Sequence, residues 1–218
     1  MSMPRTALLV FATLASTWAL GATTTTVVDV PTRGVTQRFL YVHPDGPVAN
    51  IVLLSGGDGY LGIRDDGTMT GVAGRCGPVA RNRDAFAARG FAVALVDRTS
   101  DFHVWQYADV LEVVRYVRGR DNVPTWIIGG SSSTGPVLDF AVDLPPEQPL
   151  GVVVFSPDRV NAADAALVKR PTGLVYHSGD PYQHAPALFA ALTSAPVKQS
   201  IGLSGGSNAD CGCSITTS

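Results

Sequence analysis

Charge is scarce in this sequence: Lys, Arg, Asp and Glu make up only 16% of 218 residues, and the formal net charge is −2. The few basic residues are scattered. The stripe that would neutralise a run of phosphates is therefore missing, and nucleic acid is excluded as a partner. Linkers are lacking too, with no internal repeat or low-complexity tract to separate two apolar blocks, so residues 23–218 read as one domain with one core. Hydrophobic residues reach 45%, which is enough to bury that core and, with so little charge, argues against disorder.

Cysteine is nearly absent. Cys76, Cys211 and Cys213 are an odd count, so at most one intramolecular bridge can form, and spacing does not say which. Cys211-Gly212-Cys213 has no second pair at ligand spacing and no His beside it, so no metal is implied. The one long apolar run lies at the N-terminus, where Arg5 precedes Ala7 to Leu20 and the small residues Gly21 and Ala22 follow. That order is the pattern of a cleaved signal over residues 1–22. The run falls short of the roughly 20 residues that span a bilayer, so no stable membrane span is expected after cleavage. No Cys follows it, which removes the case for a lipid anchor. A periplasmic or secreted product is expected.

What the chain does have is alternation. Thr23 to Val30 and Arg38 to Val42 are β-branched and suit an antiparallel edge. Asn50 to Leu54, Phe91 to Val96, Thr125 to Ile128, Gly151 to Phe155 and Thr172 to Tyr176 are short, continuously apolar runs, as expected of strands buried on both faces. Val197 to Leu203 closes the series. Between them helices are expected at Pro78 to Arg89, at Gly135 to Leu144, at Ala185 to Ala195, and through the face made by Trp105, Ala108, Val110, Val113, Val114 and Val117. The pattern predicts an α/β fold with a mostly parallel sheet covered on both faces, and ligand loops at the C-terminal strand ends.

Two loops carry chemistry. Thr125 to Ile128 runs into Gly129-Gly130-Ser131-Ser132-Ser133-Thr134-Gly135 and then a helix, the strand, tight turn, helix context in which G-x-S-x-G presents a nucleophile. Here the second Gly is Ser133. Ser131 fits the register best, and Ser132 and Ser133 remain alternatives. Hydroxyls that merely cap a helix start are the plain structural reading of the same residues. The second loop, Ser55-Gly56-Gly57-Asp58-Gly59-Tyr60, follows an early strand where an oxyanion donor is expected, so the N–H groups of Gly57 and Ser132 form the candidate oxyanion hole. It matches neither G-x-G-x-x-G nor G-x-x-x-x-G-K-[ST], and no cofactor is implied.

With these loops, the Arg81 to Phe91 segment and His177-Ser178-Gly179-Asp180-Pro181, the chain resembles an exported bacterial α/β-hydrolase of the esterase or dienelactone-hydrolase-like kind. The resemblance implies an α/β-hydrolase fold, a small-molecule acyl substrate, Ser131 as nucleophile and Asp180 as the acid that orients a histidine. Asp158 in Ser156-Pro157-Asp158 is the rival acid.

The same family places its His after the last strand, and residues 204–218 contain none. The chain is thus expected to end before the catalytic His and the final helix. Of the histidines present, His43, His103 and His177 sit near the early hairpin, on a turn and at a strand end. His184, in the loop with Asp180, is the substitute base. Two functions follow: a serine hydrolase of carboxylic esters or related acyl substrates, impaired by the missing His, or a catalytically silent binding protein of the same fold. The short interval between Ser156 and Thr172 leaves little room for a cap, so an open site is expected.

Overall fold

The computed structural model describes residues 22–99, 105–144, 150–158, 161–180 and 184–205. Residues 1–21 of the expected signal, His103, Cys211, Cys213 and most of the C-terminal tail lie outside the described residues. Eight strands form one sheet in the order β1-β2-β4-β3-β5-β6-β7-β8. They are β1 (Thr23–Thr32), β2 (Val35–Pro44), β3 (Ala49–Leu54), β4 (Phe91–Val96), β5 (Thr125–Ser131), β6 (Leu150–Pro157), β7 (Thr172–His177) and β8 (Lys198–Leu203). β1 and β2 form an antiparallel hairpin, and β2 pairs antiparallel with β4. Every other pairing is parallel. Each strand expected from its apolar run is present.

The hairpin turns through Arg33 (φ 41°) and Gly34 (φ 81°), the left-handed pair that matches strand twist in a two-residue loop. Arg33 is held there by two hydrogen bonds to the buried Asp109, at 2.8 and 2.6 Å.

The helices are α1 (Val72–Cys76), α2 (Pro78–Arg81), α3 (Arg83–Ala87), α4 (Tyr107–Arg120), α5 (Thr134–Asp143), α6 (Ala162–Leu167) and α7 (His184–Ala191). Three differ from expectation. The helix expected at Pro78 to Arg89 is broken at Asn82, whose side chain donates to the Pro78 carbonyl at 2.7 Å and so competes with the helical ladder. The helix expected to reach Ala195 stops at Ala191, where the Thr193 N–H turns back to the Ala191 carbonyl at 2.7 Å instead of continuing the helical ladder. Trp105 precedes α4 instead of joining its apolar face. The sequence pattern also missed α1 and α6, each too short to show a period. α6 does carry a start signal, since the Asn161 side chain accepts from the Ala163 N–H at 3.1 Å.

Two apolar layers enclose the sheet. On one face Val110, Val113, Val117, Val137, Phe140 and Leu188 pack over Val52, Leu54, Ile127, Val154 and Leu174. On the other, Leu61, Ile63, Val79, Ala80 and Ala87 cover Ile51, Leu53, Val93 and Leu95. The registers carry this second face onward through Ile128, Val153, Val175 and Ile201. There the side chains are only partly buried or exposed.

Candidate functional site

Ser131 is the last residue of β5, and its φ of 52° places a non-glycine residue in the left-handed region. Such strain persists only where the surroundings hold it. Gly129 and Gly130 show why the approach must be bare. A Cβ on Gly129 would lie 2.5 Å from Val137 Cγ2, and one on Gly130 would lie 3.0 Å from the Phe155 ring. The Ser133 N–H closes the turn onto the Gly130 carbonyl at 3.1 Å.

The three hydroxyls after Ser131 are each committed. Ser132 Oγ donates to the Gly57 carbonyl at 2.5 Å. Ser133 Oγ is fully buried and donates to the Ser55 carbonyl at 2.6 Å, while accepting from Trp105 Nε1 at 2.8 Å. Thr134 Oγ1 donates to the Ser131 carbonyl at 2.7 Å and accepts from the Asp158 N–H at 3.1 Å. Ser131 Oγ has no hydrogen-bond partner among the described residues, and Ser131 is exposed and lines a pocket. The serine-rich stretch thus divides into one open hydroxyl and three that tie the turn to its neighbours.

Two of those ties reach the turn after β3. Gly56 packs directly on the elbow, since a Cβ there would come within 2.8 Å of the Gly130 carbonyl oxygen and 3.0 Å of Ser131 Cβ. Gly57 follows at φ 70°, a conformation that favours glycine. Asp58 Oδ1 accepts from the Tyr60 N–H at 3.0 Å and tightens the turn. Neither the Gly57 N–H nor the Ser132 N–H donates to any acceptor among the described residues. Both backbone donors are therefore unspent.

The pocket, about 290 Å³, is lined by Ser131, Ser156, Pro157, Asp158 and Asp180. Ser156, at the end of β6, is again left-handed at φ 40°. No motif in the sequence marks Ser156 or Pro157 as lining residues. Asp180 follows β7, its N–H donating to the His177 carbonyl at 3.0 Å. Ser131, Asp180 and the rival Asp158 thus share one pocket.

None of the described histidines lines it. His43 Nε2 lies 2.9 Å from Asp121 Oδ2 on the hairpin side of the sheet. His177 Nδ1 accepts from the Gly179 N–H at 3.0 Å, which leaves Nε2 to donate to the Gly205 carbonyl at 2.9 Å. His184 opens α7 and is not among the described residues that line the pocket. No group of three or more metal-ligating side chains occurs among the described residues. Cys76 is disulfide-bonded, with its partner outside them.

Strand order, a strained serine ending the fifth strand and a glycine turn packed against it define the α/β-hydrolase fold, and the chain has it. No protein-family model matches the chain, and no curated protein matches it in sequence. Solved structures do. A dienelactone hydrolase from Anabaena variabilis aligns with TM-score 0.64 and 16% identity, over 85% of this chain and 88% of that one. Est1E from Butyrivibrio proteoclasticus aligns with TM-score 0.57 and 12% identity over 83% and 89%. A predicted CIB-like hydrolase from Thermoplasma acidophilum aligns with TM-score 0.57 and 13% identity over 85% and 89%. At these identities the likeness establishes the fold.

Proposed function

We propose that this chain is a serine hydrolase acting on carboxylic esters or related acyl substrates. The observation that carries the reading is the open Ser131 hydroxyl, held in a strained turn beside the unspent N–H donors of Gly57 and Ser132. In this reading Ser131 attacks the acyl carbonyl, and the two N–H groups receive the oxyanion, each contributing about 3 kcal/mol in the transition state. Asp180 orients a histidine base. With His43 and His177 engaged elsewhere, His184 is the base assigned within the described residues. The dienelactone hydrolase among the structural neighbours agrees with an acyl substrate.

A second reading has its own observation, that no described histidine lines the pocket. Without a base, only oxyanion-hole and binding catalysis remains, roughly 10³ to 10⁴ over water, and the chain would act as a binding protein. One experiment separates them. The chain is incubated with p-nitrophenyl acetate and with a serine-directed fluorophosphonate, alongside Ser131→Ala and His184→Ala. Turnover and labelling lost in both variants support the hydrolase with His184 as base. Weak turnover unaffected by His184→Ala overturns that base, and absence of Ser131 labelling overturns the hydrolase reading.

We also propose export to the periplasm or outside the cell. Arg5 with the apolar run of residues 7–20 supports it, as does the disulfide at Cys76, a bond that persists in oxidising compartments. No described helix is long and apolar enough to cross a membrane. Sequencing the N-terminus of the exported product tests the cleavage: loss of the first 21 to 23 residues is expected, and intact Met1 in a membrane fraction overturns it.

A further inference from the structure

Asp158 is the lining residue that the hydrolase reading leaves without a role. Its carboxylate is partly buried and makes no hydrogen bond or ion pair among the described residues. Its backbone, by contrast, is fixed. The Asp158 N–H donates to Thr134 Oγ1 at 3.1 Å, and Thr134 Oγ1 donates to the Ser131 carbonyl at 2.7 Å. Asp158 is thereby held two hydrogen bonds from the candidate nucleophile, on the wall of the same 290 Å³ pocket. No Lys or Arg is among the described lining residues.

We propose that Asp158 is a specificity residue, and that the site prefers acyl esters carrying an ammonium group a short spacer away from the ester carbonyl. The proposal rests on the hydrolase reading for the place of the ester, and on Asp158 alone for the charge. A carboxylate that is partly desolvated and unpaired attracts a cation more strongly than a fully hydrated one does. It also repels a carboxylate-bearing substrate from the same wall. Asp180 adds to the negative potential, but its assigned partner is the base. Because the pocket is open to solvent, added salt screens the preference.

The full chain is assayed with acetylthiocholine and its uncharged isostere 3,3-dimethylbutyl thioacetate, and tetramethylammonium binding is followed in parallel by NMR titration. At low ionic strength the ratio of kcat/KM, cationic over neutral, is expected to be about fivefold or more. It should fall as salt rises, and collapse to about one in Asp158→Asn. Tetramethylammonium binding should weaken in the same variant. A ratio that persists in Asp158→Asn while both rates drop together would make Asp158 the triad acid and overturn the proposal. A ratio near one in the unaltered chain also overturns it. If neither ester is hydrolysed and Ser131 does not label, the hydrolase reading has failed, and the titration still decides this one. Binding lost on Asp158→Asn upholds a cation site, and binding absent or unchanged overturns it.

Discussion

The indole N–H of Trp105 donates to the hydroxyl of Ser133 at 2.8 Å, and that hydroxyl donates onward to the Ser55 carbonyl at 2.6 Å. The residue that departs from the G-x-S-x-G spelling is thus the one that joins the elbow to the turn after β3 and to the segment before α4. Restoring the glycine with Ser133→Gly should destabilise the protein. The Trp105 N–H would keep only a long contact of 3.3 Å to the Ser55 carbonyl. A loss of about 1–2 kcal/mol is expected, read as a fall in Tm of roughly 2–8 °C. Ser133→Ala should cost a similar amount and leave Ser131 labelling with a fluorophosphonate intact. Loss of labelling in Ser133→Ala would put the nucleophile at the wrong serine.

Much of this arrangement is legible in the amino-acid order. Runs such as Asn50 to Leu54 and Phe91 to Val96 announce strands buried on both faces because no polar residue interrupts the central part of either. Ser131 could be placed because Thr125 to Ile128 is followed at once by glycines, a hydroxyl run and a helical period. What stayed hidden depends on tertiary contact. The break at Asn82 is a competition between a side-chain amide and the helical ladder that periodicity does not show. Trp105 has the spacing of the α4 face, yet its polar edge is drawn to Ser133 instead. Ser156 lines the pocket in a left-handed conformation that no residue pattern announces. That Ser132 and Ser133 are hydrogen-bonded while Ser131 is open shows only once each hydroxyl's partner is known.

Gly56→Ala tests how closely the two turns must approach. Its Cβ would meet backbone, the Gly130 carbonyl oxygen at 2.8 Å, together with Ser131 Cβ at 3.0 Å. Backbone cannot swing aside as the end of a long side chain can, so the turn carrying Gly57 must shift away from the elbow. A stability cost of about 1–3 kcal/mol is expected. The drop in kcat should be larger in proportion, on the order of 10² for a displacement near 1 Å. Gly135→Ala is the control. Apart from its chain neighbours a Cβ there meets nothing within 4 Å, so it should leave kcat unchanged, with no gain in stability because Pro136 follows it. Equal behaviour of the two variants would show that the Gly56 contact does not hold the oxyanion turn in place.

Asp139 gives a pH dependence of known sign. On α5, its carboxyl is pushed above the ordinary 3.8, first by loss of solvation and then by the nearby carboxylates of Asp143 and Asp164. A raised acid means that the folded chain holds this proton more tightly than the unfolded chain does. Ionising Asp139 therefore weakens folding. The penalty is absent below the unfolded value, grows between the two values and is complete above the folded one. Asp139→Asn should raise Tm at pH 7 by about 1–2 °C, a small amount because solvent screens a group this exposed. The gain should shrink toward zero as the pH falls to 3.8. Thermal scans of both proteins across that range check it, and a gain that grows on acidification would reverse the sign.

The partly exposed face that runs from Ile128 to Ile201 makes the last prediction. Ile201 is 55% exposed and Leu203 47% exposed, on the strand that ends the described sheet. An apolar edge of this kind combines unpaired backbone groups with side chains that gain by leaving water, at roughly 25 cal/mol per Å² buried. The chain is therefore expected to associate with itself as its concentration rises, and to enhance the fluorescence of a hydrophobic dye. Ile201→Lys with Leu203→Lys should move sedimentation toward the monomer and lower dye binding. Tm should fall only modestly, because each side chain keeps about half of its surface exposed in the fold. Ser200→Lys is the control, since its position points to the opposite side of the strand and should leave association as it was. If the double variant associates as strongly as the unaltered chain, this face is not the one that drives contact between copies.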